Sequence, residues 1–360
     1  MTALTKHRLL LIGSGGYIQQ TVLPALTVLA QQYELIGLVN RSGNKPDGLQ
    51  AMAPELKVDK QIDCFDLANT DIIFVCIPPE ALPALLKQLA HLPTEHITLV
   101  VTTPVFNISD SHFCSLFSSF KQVLAFENAF CLPPFIAAQK LLSQDKIGQL
   151  KKINLNHSGF RYHALALIRS LYKGKQLLHG RSIAFGRYQE YNFKFSDKCY
   201  ASIVEPRDYD AGSFMLAGTK GIICDYPLNA HNVYVISYQQ NNQGLFTGLL
   251  INGQLQQANA LDKLFKEKLP YASLPDNSLF RQLHIRGAVE VFNALHQDNL
   301  DYLYQHNETL YESFLLRIMQ RLGFWFEPLA IFRLPLIKWA YIKLWPRLKA
   351  TQSSIFRHKL

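Results

Sequence analysis

The side chains best suited to chemistry fall in two short stretches. One is Ser158-Gly-Phe-Arg161-Tyr162-His163, where a strand end leads into an amphipathic helix. An imidazole titrates at about 6.5 when unperturbed, so His163 is the best acid–base candidate for work near neutral pH. Arg161 and Tyr162 just ahead of it have the donors to bind a carboxylate or an oxyanion. The competing reading is structural: His163 caps a helix and Arg161 pairs with a surface acid. The other stretch is Gly13-Ser14-Gly15-Gly16-Tyr17-Ile18, between an apolar run from His7 to Ile12 and a helix that contains Pro24. Gly13 and Gly15 permit a tight turn and let the backbone approach a pyrophosphate, which would sit against the unpaired N–H groups of the helix start. Ile18 stands where the usual G-x-G-x-x-G/A pattern has its third small residue, so the match is partial. A glycine turn that only joins a strand to a helix is the alternative.

A second apolar run, Tyr33 to Val39, ends in Asn40-Arg41-Ser42, where the ribose of a dinucleotide would lie. A site for NAD usually carries a carboxylate there, whereas a site for NADP lacks the acid and supplies a cation for the 2′-phosphate. Asn40 and Arg41 therefore favour NADP over NAD, with a solvated loop arginine as the alternative.

These residues need a scaffold, and the rest of the chain supplies one. Buried strands are expected at Asp71 to Ile77, stopped by Pro78 and Pro79, and at His96 to Val101, with a helical pattern from Ala81 to Leu92 between them. Strands separated by helices imply βαβ units and a parallel sheet. Residues 180–255 alternate apolar and polar positions with frequent glycines, which suits antiparallel strands joined by tight turns. Helical periodicity returns from Phe280 to Leu295 and from Asn307 to Leu322. Between two of the later strands, Glu205, Arg207, Asp208, Tyr209 and Asp210 form a polar cluster that either reaches a substrate or is a solvated loop.

A chain of 360 residues with 48% hydrophobic side chains has material for two cores. Its six cysteines are scattered with no C-x-x-C and read as reduced thiols of a cytoplasmic protein. The twelve histidines show no H-x-x-x-H spacing, so no metal site is expected. Neither a signal peptide nor a spanning helix is expected.

Past Thr103 the sequence runs Gln122-Val-Leu-Ala-Phe-Glu127-Asn128-Ala-Phe130-Cys-Leu-Pro133-Pro134, then a helix ending at Asp145-Lys-Ile-Gly148-Gln-Leu. Together with the glycine turn followed by Leu-Pro-Ala-Leu, the strand ending in Ile77-Pro78-Pro79, and Thr102-Thr103-Pro104 after a later strand, this resembles the Gfo/Idh/MocA oxidoreductases. The resemblance spans about residues 7–320 and is firmest in the first 155. It implies an α/β fold: an N-terminal Rossmann-type doubly wound parallel sheet in residues 1–127, and a C-terminal α/β domain with an open, mainly antiparallel sheet in residues 128–320. The resemblance implies hydride transfer between a nicotinamide and a carbonyl or alcohol carbon, often in a sugar or cyclitol. With Asn40 and Arg41 the expected enzyme is an NADP-dependent homo-oligomer acting on a carbonyl, alcohol or imine carbon of a sugar-like or other small molecule. The implied cofactor contacts are Gly13, Ser14, Gly15, Gly16, Tyr17, Ile18, Asn40, Arg41, Ser42, Ile77, Pro78, Pro79, Thr102 and Asn128.

Three departures bear on mechanism. Relatives carry a lysine where Thr103 stands, an arginine at Phe130, and an aspartate three residues after the histidine, at Ala166. A threonine hydroxyl can orient a substrate oxygen but does not replace a cationic acid. The alternative function is accordingly a catalytically inactive, nucleotide-binding homologue that serves as a sensor or assembly factor. An imine or activated carbonyl, which needs less acid catalysis, would reconcile the losses with turnover.

From Arg317 to Leu360 nine Lys or Arg face one acid, Glu327, which accounts for nearly all of the chain's formal +9. All three tryptophans, Trp325, Trp339 and Trp345, lie there too. Cations among aromatics, broken by Pro328, Pro335 and Pro346, suit a tail of residues 321–360 that lies in a membrane interface, here the inner face. The other reading is an arm packing on its own protein or on a second subunit. Nucleic acid is not an expected partner, since no helix-turn-helix or ribonucleoprotein motif is present.

Overall fold

The computed structural model describes residues 6–326 except 47–48, 51–52, 159–160, 209–211, 258–263, 266, 270–273, 275 and 300–302. The side chains of Ile108, Arg161 and Phe326 also lie outside the description. Five apolar runs and one short strand build a parallel sheet: β1 (His7–Ile12), β2 (Tyr33–Val39), β3 (Val58–Asp59), β4 (Ile72–Val75), β5 (Thr98–Thr102) and β6 (Gln122–Phe126), in the order β3-β2-β1-β4-β5-β6. Alternate residues feed two different cores. Leu9, Leu11, Phe74, Val100 and Leu124 point into one, whereas Leu10, Ile12, Ile73, Val75, Leu99 and Val123 point into the other. A sheet covered on both faces needs no polar side, which is why these strands read as continuous apolar runs. Strand order reverses between β1 and β4, and in such sheets the crevice at the strands' carboxyl ends is where ligands bind.

The helix after β1 begins at Gly16, widens into a π-turn at Ile18–Val22 and continues as α1 (Leu23–Val28). Pro24 lacks an N–H and its ring crowds the preceding turn, and a wider turn accommodates it. Helix α2 (Leu82–Leu89) covers the opposite face, and α3 (Pro133–Ser143) leads out of the parallel sheet.

The second sheet has ten strands. Its centre is β7 (Leu150–Asn156), after which α4 (Arg161–Leu171) crosses its apolar face. The remaining strands are β8 (Leu177–Phe185), β9 (Tyr188–Phe195), β10 (Cys199–Glu205), β11 (Ser213–Gly218), β12 (Ile222–Cys224), β13 (Val233–Gln240), β14 (Phe246–Ile251) and β15 (Gln254–Leu255). Pairing is antiparallel except for β7 with β10 and β12 with β13. The chain then returns to the first domain. Helix α5 (Leu279–His296) packs on α1, with the Tyr33 hydroxyl donating to the Phe292 carbonyl and Arg281 Nη1 donating to Thr21 Oγ1 at 2.8 Å. Strand β16 (Tyr304–Gln305) then pairs antiparallel with β6 as a seventh strand. Helix α6 (His306–Leu322) ends at Gly323 in the left-handed region, and β17 (Phe324–Phe326) becomes the tenth strand, beside β8.

That last strand corrects one expectation. Trp325 belongs to the core, 2% exposed and edge-on to Tyr311 and Phe314, so its indole is not offered to a membrane or a second subunit. Trp339 and Trp345, with the rest of the expected tail from residue 327, lie outside the described residues. Among the described residues no helix is long and apolar enough to cross a membrane.

Candidate active site

Where β6 ends, the chain delivers Glu127 into the crevice, 1% exposed. A carboxylate so buried needs donors that replace water. Glu127 has three: Oε1 accepts from the Ala129 N–H at 2.9 Å, and Oε2 accepts from the Thr103 hydroxyl at 3.2 Å and from His163 Nδ1 at 2.6 Å. His163 stands in the first turn of α4 with a third of its side chain exposed. Burial alone would push its imidazole down, but the Glu127 charge and hydrogen bond outweigh burial and raise it above the ordinary value. Thr103, at the end of β5, also lies 3.4 Å from His163 Nδ1. Three elements distant in sequence thus converge on one carboxylate.

Around this group lies a second layer. Arg207, just past β10, stacks with its guanidinium carbon 4.4 Å from the centre of the Phe280 ring and places Nη1 3.5 Å from His284 Nε2. Burial, then the charges of Arg207, His163 and Arg281, push His284 well below the usual imidazole range, so it is neutral. Tyr17 of the glycine turn meets Phe126 edge-on at 6.4 Å, and burial followed by the Glu127 charge pushes its phenol up. Asn128 is placed differently from the expectation of a cofactor contact. It is buried, and its Nδ2 donates to the His284 carbonyl at 3.1 Å, fastening α5 to the end of β6. Tyr162 packs partly buried against the core. Of the polar cluster after β10, Arg207 enters the site, Asp208 is exposed, and Tyr209 and Asp210 lie outside the described residues.

The glycine turn closes the crevice from the β1 side. Gly13 has φ of +106°, donates its N–H to the Val39 carbonyl at 2.8 Å, and leaves no room for a side chain: a Cβ would lie 2.1 Å from the Cys76 carbonyl oxygen and 3.2 Å from Ile77. Gly15 and Gly16 differ. Both are exposed, and a Cβ on Gly15 would meet nothing within 4 Å, so the protein's own packing does not require them to be glycine. They keep the backbone at the helix start uncovered, which is what a pyrophosphate needs. Ser14 accepts on its carbonyl from Gln19 Nε2 at 2.7 Å, and Ile18 is buried. Ile77 and Pro79 are partly buried, Pro78 is exposed, and Thr102 is partly buried next to Thr103.

At the end of β2, Asn40 organises its own loop. Its Oδ1 accepts from the Gly43 N–H at 2.7 Å and from Ser42 Oγ at 3.1 Å, and its Nδ2 donates to the Asn44 carbonyl at 2.8 Å. This holds Arg41 out in solvent, where it makes no hydrogen bond or ion pair among the described residues. Lys60 lies across Gly43, whose added Cβ would meet its Cγ at 3.0 Å, and brings a second cation to the same loop.

In the sequence Glu127 stands only as part of the Glu-Asn motif, with nothing local to mark its partner. An acid placed directly after a continuous apolar strand is a usable signal, because such a position is buried and demands a positive partner.

No family model matches the sequence, and no curated protein matches it. Solved structures do. The scyllo-inositol dehydrogenase from Lactobacillus casei with bound NAD(H) and scyllo-inositol is 15% identical, with a TM-score of 0.57 over 89% of this chain and 99% of that one. A myo-inositol dehydrogenase from Corynebacterium glutamicum is 14% identical, with a TM-score of 0.60 over 89% and 99%. An oxidoreductase from Agrobacterium radiobacter in complex with NAD+, L-tartaric acid and magnesium is 12% identical, with a TM-score of 0.58 over 87% and 94%. This chain shares the fold of these oxidoreductases, the two-domain α/β fold that the sequence resemblance implies.

Proposed function

We propose that the chain is an NADP-dependent oxidoreductase that moves a hydride between a nicotinamide and a carbonyl, alcohol or imine carbon of a small molecule. The observation that carries this reading is the 2.6 Å contact of Glu127 with a partly exposed His163, set in the crevice that the uncovered glycine turn opens onto. Gly13, Gly15 and Gly16 fit a pyrophosphate, and Arg41 with Lys60 fits a 2′-phosphate better than the carboxylate that an NAD site would place after β2. The Lactobacillus casei and Agrobacterium radiobacter structures hold NAD(H) and NAD+, so the preference for NADP rests on this chain's own residues.

When bound, the nicotinamide supplies or accepts the hydride. His163 then gives a proton to the substrate oxygen or nitrogen during reduction and takes it back during oxidation, through Nε2, because Nδ1 is held by Glu127. Glu127 fixes the ring and keeps it charged, and Thr103 orients. Titration of the protein with NADPH and NADH, read by cofactor fluorescence, is the first test, and selective binding of NADPH is expected. In a substrate screen, His163→Ala should then lower turnover by about 10²- to 10⁴-fold.

The second reading, a nucleotide-binding protein without hydride chemistry, is favoured by Ala166, which is apolar and 1% exposed where relatives carry an aspartate. It requires NADPH binding with no turnover on any carbonyl. Self-association, the expected state, suits the second sheet, because Ile183, Phe185, Tyr200 and Leu255 are large apolar side chains exposed on its strands. Residues 327–360 keep both of their readings, membrane surface or subunit arm.

A further inference from the structure

We propose that Glu312 is a positioning residue for the pair of His163 and Glu127, because its carboxylate ties the helix that carries the histidine to the strands that lead to the glutamate. This deepens the oxidoreductase reading above and rests on it for the work that His163 does, but not for the tie itself. Glu312 lies on α6 and is 1% exposed. Its Oε1 accepts from Arg169 Nη1 of α4 at 2.9 Å and also from the Tyr304 hydroxyl of β16. Arg169 stands six residues beyond His163 on α4, about 9 Å along the helix. Tyr304 pairs with Ala125 of β6, two residues before Glu127, and its ring lies 5.8 Å from that of Phe130, three residues after it. A single oxygen is thus bonded to both supports of the 2.6 Å contact.

The cluster is built to hold position. Arg169 is engaged from three sides: besides Glu312 it pairs with Glu308, one turn earlier on α6, and its guanidinium carbon lies 5.1 Å from the centre of the Tyr311 ring. A buried ion pair is often no more stabilising than apolar side chains of the same volume, since burial costs each charge its water. What it adds is directional bonds, which fix the spacing between elements. The other contacts of α4, through Ala164, Leu165, Leu167 and Ile168, are apolar and carry no direction.

Position matters here because a 2.6 Å bond has little slack, and about 1 Å of displacement at a reacting group is worth on the order of 100-fold in rate. The titratable groups that face Glu312 are Arg169 from α4, Tyr304 from β16, Glu127 from the end of β6, and Glu308 of its own helix by way of Arg169. Helix α6 also packs on β8, β17 and residues 108–119, and none of these bonds to Glu312 among the described residues. Burial and Arg207 act against the charged His163 ring, whereas Glu127 and, more weakly, Glu312 favour it.

NMR titration of the full chain carrying isotope-labelled histidine tests this, with the His163 signal assigned by its loss in His163→Ala. Tyr304→Phe removes one hydroxyl and no charge, and Glu312→Gln removes the charge. In both variants the His163 midpoint should move to lower pH. On a substrate found by the screen, kcat should fall by about 10- to 100-fold with KM little changed. Glu308→Gln breaks the more exposed ion pair of the same arginine and should move neither. A His163 midpoint unmoved in Tyr304→Phe or in Glu312→Gln, or moved as far by Glu308→Gln, would overturn the proposal. Should Glu312→Gln fail to fold, Tyr304→Phe decides alone. The expected shift in a protein with neither nucleotide binding nor turnover would sink the oxidoreductase reading and leave this one standing. Turnover lost in His163→Ala yet untouched by Tyr304→Phe and Glu312→Gln would do the reverse.

Discussion

His163 Nδ1 and Glu127 Oε2 stand 2.6 Å apart across 36 residues of sequence, one on a partly exposed helix turn and the other 1% exposed at a strand end. A carboxylate held this way fixes the ring's orientation and the nitrogen that carries its proton. It also sets the pH range in which the ring works.

Replacing Glu127 by Gln removes the charge that raises the His163 pKa while keeping the shape. For reduction, which needs the protonated ring, activity falls as pH rises through that pKa, so the falling limb should move to lower pH in the variant. Stability follows the same sign. The pair's contribution is complete below the unfolded imidazole value of about 6.5 and is lost as pH rises through the raised native value, so the variant should lose this dependence. A pH–rate profile with an unmoved limb would show that another group sets it.

Gly13 and Gly15, two residues apart, should behave oppositely. Gly13→Ala places a methyl 2.1 Å from the Cys76 carbonyl oxygen at a φ of +106°, and backbone strain alone costs on the order of 1–3 kcal/mol before the clash is relieved. Gly15→Ala meets nothing, so thermal unfolding should be nearly unchanged while NADPH binding weakens. Equal melting temperatures for the two variants would contradict the account of the turn.

Arg41→Ala should weaken NADPH binding by about 10- to 100-fold, the usual effect of a lost charge-assisted hydrogen bond, and change NADH binding little. Lys60→Ala should act in the same direction. Parallel fluorescence titrations with the two nucleotides decide this, and an equal loss for both would remove the 2′-phosphate from the explanation.

Glu312 of α6 is bonded to Arg169 of α4 at 2.9 Å and to the Tyr304 hydroxyl, and burial pushes its carboxyl up to about 7 despite the arginine. The native state therefore binds a proton that the unfolded chain has already released between about pH 4.5 and pH 7. Through that interval this group lowers stability as pH rises, and Glu312→Gln should flatten the urea midpoint across it.

A chain stopped after Arg321 lacks β17 and the buried Trp325, and should be less stable by about 3–5 kcal/mol. Stopping after Phe326 keeps both. Only this second truncation is a fair test of the basic tail, and on the membrane reading it should sediment with anionic liposomes less than the intact chain does.

Most of the fold was legible because burial on two faces writes itself as uninterrupted apolar residues. Strand β2 spans Tyr33–Val39 as read, and α5 and α6 lie within a residue or so of the helical patterns at Phe280–Leu295 and Asn307–Leu322. Strands β16 and β17 were missed because two or three residues carry no periodicity, and their pairing is set by distant partners. The site divided along the same line. His163 and Thr103 announce themselves by side-chain type, but that Glu127 joins them, that Asn128 serves α5, and that Arg207 leaves its loop to stack on Phe280 are facts of tertiary contact.

The return of α5 and β16 to the first sheet sets a timetable for synthesis. As residues 1–127 leave the ribosome, β6 is still an open edge and the Phe292 carbonyl that receives the Tyr33 hydroxyl has not been made. N-terminal domains usually fold first, yet this one waits for Gln305 to emerge before its outer strand is covered. Until then the nascent chain presents an unpaired strand and an unfinished apolar face, the combination that invites chaperones or aggregation.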